Sequence, residues 1–129
     1  MQHDLLNDAL VSLRHADQQG KASVALSPGS NLIGEVLKIF REHQYIAEFT
    51  FVPDGRGGHY DVALARRINS CGVIKPRHSV RGRALERYEA RFLPAQDFGL
   101  LVLSTNQGVM SHQKARELKI GGKLLAYVY

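Results

Sequence analysis

Two periods of apolar spacing run through the chain. Leu6, Leu10 and Leu13, with Ala9 beside them, share one helical face, and Ile33, Val36, Leu37 and Phe40 follow the i, i+3, i+4, i+7 stripe of a second helix. Asp4 is placed to cap the first helix, which reaches about His15, and Gly20 marks its exit. Ala22, Val24 and Leu26 alternate with Lys21, Ser23 and Ala25, the period of a half-buried strand. The turn Ser27-Pro28-Gly29-Ser30 leads into the second helix, with Ser30 as its cap. Tyr45, Ala47, Phe49 and Phe51 are expected on one face of a strand ending at Val52. A glycine-rich turn, Pro53 to Gly58, returns the chain through Tyr60, Val62 and Leu64.

This first half predicts helix–strand–helix–strand–strand. Gly72 and Pro76 then break the pattern between Ile68 and Val80, and the boundary between two small lobes is placed there. The expected class is α/β (α+β): an N-terminal α/β lobe over residues 1–68 and a mostly β lobe with a short helix over 69–129. In the second lobe Gly99-Leu100-Leu101-Val102-Leu103 reads as a buried strand. The terminal run Lys123 to Tyr129 has the residue types of a strand tied into the same sheet.

Between the buried strand and a short helix over Gln113 to Leu118, capped by Ser111, lie Ser104, Thr105, Asn106, Gln107 and Gly108. Hydroxyls and carboxamides are neutral donors and acceptors that suit a ligand edge, and Gly108 permits close backbone approach. The same composition also fits a connection held by local side chain–backbone hydrogen bonds, and spacing alone favours that simpler reading.

Composition narrows the classes. An apolar share of 44% supports a packed interior, and no apolar run is long enough to span a membrane. The N-terminal residues lack a basic stretch followed by an apolar one, so a cytoplasmic location is expected. A lone Cys71 offers neither a disulfide nor a paired-cysteine metal site, and no cofactor or metal is expected.

Charge shifts the picture toward a polyanion. The net charge is +5, and arginines outnumber lysines 11 to 6. Lys75, Arg77, Arg81, Arg83, Arg87 and Arg91 crowd one stretch, opposed there only by Glu86 and Glu89. Tyr88 among these arginines suits a base stacked on its ring, although a tyrosine packed on a neighbouring sheet fits equally well. Arg56, at the tip of the glycine-rich turn, is a candidate phosphate contact or simply a solvated loop arginine. That turn is no nucleotide loop, for it lacks the Gly-Lys-Ser/Thr ending and joins two strands. The N–H groups beside Ser30 could likewise receive a phosphate, or serve capping alone.

Leu93-Pro94-Ala95-Gln96-Asp97-Phe98-Gly99, then Ser104 through His112, then Gly121-Gly122-Lys123 through Tyr129, resemble small-subunit ribosomal protein eight. Ile68 through Arg77 and the opening Asn7-Asp8-Ala9-Leu10 extend the resemblance, in order, over essentially the whole chain. The Ile-Lys-Pro-Arg and Ser-His segments look like the archaeal and eukaryotic branch, and the Tyr-Val-Tyr ending looks archaeal. The resemblance implies a two-domain protein that binds a helix in the central domain of small-subunit ribosomal RNA and aids assembly. It implies that Ser104, Thr105, Asn106, Gln107 and Gly108 enter a shallow minor groove, whose 2′-hydroxyls and base edges neutral polar groups can address. It also places Tyr88, Ser30, Asn31, Gly121, Gly122 and Lys123 near RNA, while Lys75, Arg77 and Arg87 of the basic stretch and Arg56 of the turn are candidate phosphate contacts by their charge and position. Neighbouring small-subunit ribosomal proteins are the expected partners, with no membrane and no small-molecule substrate. Gln96 stands where the family commonly has arginine, and Asn31 and Ser70 stand where lysine is frequent, which removes positive charge at three positions.

The rivals are a small basic hydrolase and a DNA-binding module. The chain has no Gly-x-Ser-x-Gly elbow, no His-Glu-x-x-His helix and no evident recognition helix, and Pro76 stands between Cys71 and His78. Catalysis is not expected.

Overall fold

The computed structural model describes residues 5–27, 29–75, 77–81, 84–95 and 98–129. Asp4 as a helix cap, Pro28 and Pro76 as breakers, Arg83 in the basic stretch and Gln96 in the family comparison lie outside them. The chain divides into two compact units, Met1–Asn69 and Ser70–Tyr129.

In the first unit, α1 (Leu5–Gln18) and α2 (Asn31–Glu42) accompany an antiparallel sheet of β1 (Ser23–Leu26), β2 (Ile46–Val52) and β3 (His59–Leu64) in the order β1-β3-β2. The α1 helix runs one turn beyond His15. Gly20 leaves it at φ +73°, a left-handed value that glycine adopts freely. That extra turn contains Asp17, which is buried and accepts a hydrogen bond from the Ile68 N–H at 3.1 Å. The α2 stripe is buried as its spacing predicts, each large side chain adding about 1.5–3 kcal/mol by leaving water.

One expectation is corrected in β2. The register slips between Ile46 and Glu48, and this irregularity breaks the alternation that would have put Tyr45 and Ala47 on the face of Phe49. Ile46 is buried and Ala47 exposed, while Phe49 and Phe51 both meet the edge of Tyr60, at 5.9 and 5.5 Å.

The second unit is built on a five-stranded antiparallel sheet. Its strands are β4 (Cys71–Val73), β5 (Ser79–Val80), β6 (Leu100–Thr105), β7 (Gly108–Ser111) and β8 (Gly122–Val128). The order is β4-β8-β6-β7, with β5 also pairing with β8. Leu101, Leu103 and Leu124 are fully buried in a core completed by Leu85 and Leu93. Besides the expected short helix α4 (His112–Leu118), the unit contains α3 (Leu85–Phe92), formed by the stretch that sequence marks as a basic patch. On α3 Leu85 and Glu89, four residues apart, face inward, while Arg87 and Arg91 are exposed.

Candidate nucleic-acid interface

The segment expected to be a strand-to-helix loop is a β-hairpin. Residues 108–111 form β7, paired with β6 through Thr105↔Gly108, Ser104↔Val109, Leu103↔Met110 and Val102↔Ser111. Only Asn106 and Gln107 remain as the turn, and both are exposed. Thr105 closes this turn with its own side chain. Its hydroxyl donates to the Gly108 carbonyl at 2.8 Å and accepts from the Gln107 N–H at 3.1 Å. Gly108 has φ +112°, which disfavours a side chain, and the space where a Cβ would stand is open.

The polar motif therefore divides in two. Ser104 and Thr105 are half-buried, and Asn106, Gln107 and Gly108 stand in solvent. Ser111 and His112 face inward. The Ser111 hydroxyl caps α4 by accepting from the Lys114 N–H at 3.3 Å. His112, 2% exposed, accepts from the Leu101 N–H at Nδ1, so its Nε2 carries the proton in the neutral ring and points toward Glu89 at 3.6 Å. Glu89 also pairs with Arg116, which ties α3 to α4.

Beside the hairpin lies an open groove of about 760 Å³. Ser104, Thr105 and Asn106 form one wall, and Gly121, Gly122 and Lys123 another. Ser79, Val80, Arg81 and Ile120 complete it. Its charged groups are Arg81 and Lys123, both exposed, and no acidic side chain lines it among the described residues. The glycine pair has a steric origin. A Cβ on Gly121 would strike the Val80 carbonyl, and one on Gly122 the Ser104 carbonyl. These residues let β5 and the hairpin strand β6 lie close beside the start of β8, so their contribution is the shape of the groove.

The structure thus gathers Ser104, Thr105, Asn106, Gly121, Gly122 and Lys123 at one place, with Gln107 and Gly108 completing the hairpin tip. Lys75, Arg77 and Arg87 are exposed elsewhere on the same unit and do not line the groove. Tyr88 is half-buried against the core, with its ring 5.5 Å from that of His78. In the N-terminal unit Ser30 accepts from the Ile33 N–H at 3.2 Å, and Asn31 is exposed. Arg56 sits on a turn organised by Asp54, whose Oδ1 accepts from the Arg56 and Gly58 N–H groups at 2.8 and 2.9 Å. Ser30, Asn31 and Arg56 share one end of that unit, because Gly29 N–H donates to the Gly58 carbonyl at 2.9 Å.

Arg81 belongs to the basic stretch of the sequence, but neither its spacing nor that of Ser79 and Ile120 points to the site. The two-residue strand β5 brings the first two there, and no periodicity announces a strand that short.

Comparison with known proteins agrees with this architecture. The family model described as ribosomal protein S8 matches residues 4–129. The small ribosomal subunit protein uS8 of Picrophilus torridus is 51% identical over 129 residues, the full length of both chains. That of Thermoplasma acidophilum is 50% identical over the same full length. That of Pyrobaculum neutrophilum is 50% identical over 126 residues, 98% of this chain and 97% of its own. These relatives are archaeal, and the family is a non-enzymatic one of structural ribosomal proteins. A match of this extent, over the hairpin, the glycine pair and both units alike, means that the chain belongs to the ribosomal protein S8 family.

Proposed function

We propose that this protein is a structural component of the small ribosomal subunit, in the cytoplasm. In this reading it binds a helix in the central domain of small-subunit ribosomal RNA and helps the subunit assemble. The C-terminal unit, Ser70–Tyr129, is the RNA-binding lobe. Ser104, Thr105, Asn106, Gln107 and Gly108 address 2′-hydroxyls and base edges in a shallow minor groove. Arg81 and Lys123 neutralise phosphates beside them, and Lys75, Arg77 and Arg87 add contacts outside the groove. Tyr88, half-buried on the core beside His78, offers a further aromatic contact. Ser30, Asn31 and Arg56 form a second contact from the N-terminal unit, and neighbouring small-subunit ribosomal proteins complete the surroundings.

One observation carries the reading: neutral polar groups stand exposed at the tip of a two-residue hairpin turn, beside a groove whose charged groups, among the described residues, are all cationic. A hairpin held from below by buried Met110, Ser111 and His112 presents those groups without first having to order them. The test is a filter-binding titration with the central-domain RNA helix. Replacing Ser104 and Asn106 together by alanine is expected to weaken binding by about 1–3 kcal/mol for each desolvated hydrogen bond lost. Wild-type-like affinity of the double variant, with its fold intact by circular dichroism, would sink the hairpin assignment.

A further inference from the structure

Four aromatic rings in the C-terminal unit form a connected ladder that the hairpin and its groove do not use. Phe92, the last residue of α3, stacks on Tyr127 with centroids 6.1 Å apart and planes 20° apart. Tyr127 stacks on Tyr129 at 6.1 Å and 21°, and Phe98 leans on Tyr129 at 6.4 Å and 49°. Tyr127 is paired across the sheet with Gly72 on β4, where a Cβ would press on the ring at 3.1–3.3 Å. Phe92, Tyr127 and Tyr129 are half-buried on the core, whereas Phe98 is 48% exposed. The ladder is rooted in the interior and ends in water.

A single exposed phenylalanine needs no partner, but a connected series of rings that reaches solvent is a surface of another kind. Charge identifies its occupant. The Arg91 guanidinium lies over the Phe92 ring at 5.3 Å, and Arg87 is exposed one turn earlier on α3. Glu86 is the only exposed acidic residue between Lys75 and Arg91 among the described residues. Flat π-faces flanked by guanidiniums match a strand whose bases are free to stack and whose phosphates stay outside. A duplex keeps its bases stacked inside and offers the rings nothing.

We propose that the Phe92–Tyr127–Tyr129–Phe98 ladder is a second RNA site, which stacks unpaired nucleotides of a single-stranded segment. It is distinct from the hairpin groove, because Lys123 and Tyr127 lie near opposite ends of the seven-residue strand β8. The proposal rests on the chain being an RNA-binding protein, but not on the hairpin.

The chain contains no tryptophan, so Phe98→Trp installs a single indole at the exposed end of the ladder, which can be excited at wavelengths its tyrosines do not absorb. Titration of this variant with a short single-stranded oligoadenylate at low salt is expected to quench its tryptophan fluorescence. Adding Tyr129→Leu should weaken the apparent affinity about fivefold or more, the equivalent of one lost base–aromatic stack, while Tyr129→Phe retains it. Ser104→Ala with Asn106→Ala should leave the quenching unchanged, which separates this site from the hairpin. Absence of quenching, equal quenching by polyacrylate or by duplex RNA, or a Tyr129→Leu titration matching that of Phe98→Trp alone would each overturn the proposal.

Discussion

Gly122 passes so close to Ser104 that a Cβ on the glycine would collide with the serine's carbonyl oxygen and stand 2.9 Å from Thr105 Cγ2. Strand β8 therefore sets the position of the hairpin strand that bears the candidate RNA-binding residues. Gly122→Ala forces backbone atoms apart, a shift that no flexible side chain can absorb. Overpacking of this kind is expected to cost about 1–3 kcal/mol of stability, read as a lowered midpoint in denaturant. In the proposed function it should also weaken RNA binding, since the hairpin moves with the strand. Unchanged stability would show that the sheet can spread here.

The pairing of Glu89 with Arg116 is asymmetric. The glutamate side chain is 8% exposed and the arginine 42%. Arg116→Ala strands a carboxylate in the interior with His112 facing it at 3.6 Å, and is expected to cost about 3 kcal/mol or more. Glu89→Gln leaves behind an arginine that water already reaches, and should cost about 1 kcal/mol. Chemical denaturation of the two variants compares these directly. A larger loss in Glu89→Gln would mean that the carboxylate does more than answer Arg116.

The sequence is most legible where one period persists. The α2 stripe, the run Leu100–Leu103 and the Ser111 cap stand in the structure as their spacing predicts. It is least legible where a strand is short or its alternation breaks. The slip after Ile46 is a local rearrangement that changes which side chains are buried, and nothing in the identities of Ile46, Ala47 and Glu48 announces it. Strand β7 hides because Gly108 and Ser111 have the composition of a loop, and only pairing with β6 makes Gly108–Ser111 extended. The helix α3 was obscured by its charge: four of its eight residues are Glu or Arg, with Leu85 and Glu89 alone fully turned inward. Thr105 shows the same limit at the site, for its hydroxyl is already committed to Gly108 and Gln107.

Asp54 gives the N-terminal unit a pH-dependent turn. Hydrogen bonds from the Arg56 and Gly58 N–H groups, with a lesser contribution from His59, hold its carboxyl below the usual carboxylate range. Since the folded-state value is depressed, the stabilisation is fully present above the unfolded carboxylate's value and is lost as the pH falls through the folded one. Protection of the Arg56 and Gly58 amides, measured against their intrinsic exchange rates, is expected to fall over that acidic window. Asp54→Asn, whose amide oxygen still accepts hydrogen bonds, should flatten the pH response. Exchange that stays pH-independent beyond the intrinsic rate would remove the carboxylate from this role.

Arg81 distinguishes a phosphate contact from a bystander cation. It lines the groove opposite the hairpin and is exposed, whereas Arg14 is carried on α1 of the other unit. Each phosphate neutralised releases condensed counterions, so the logarithm of the binding constant falls with the logarithm of salt in proportion to the contacts made. Arg81→Ala should therefore reduce the magnitude of that slope by about one unit, and Lys123→Ala by a similar amount. Arg14→Ala should leave the slope unchanged while removing the same charge from the chain. If all three variants shifted affinity alike, the effect would come from net charge, and the groove would lose its place in the interface. If Arg81→Ala and Lys123→Ala lower the slope, and Ser104→Ala with Asn106→Ala lowers affinity without changing it, the two kinds of contact are separated. Guanidinium then answers to phosphate, and hydroxyl and carboxamide to the ribose and base edges.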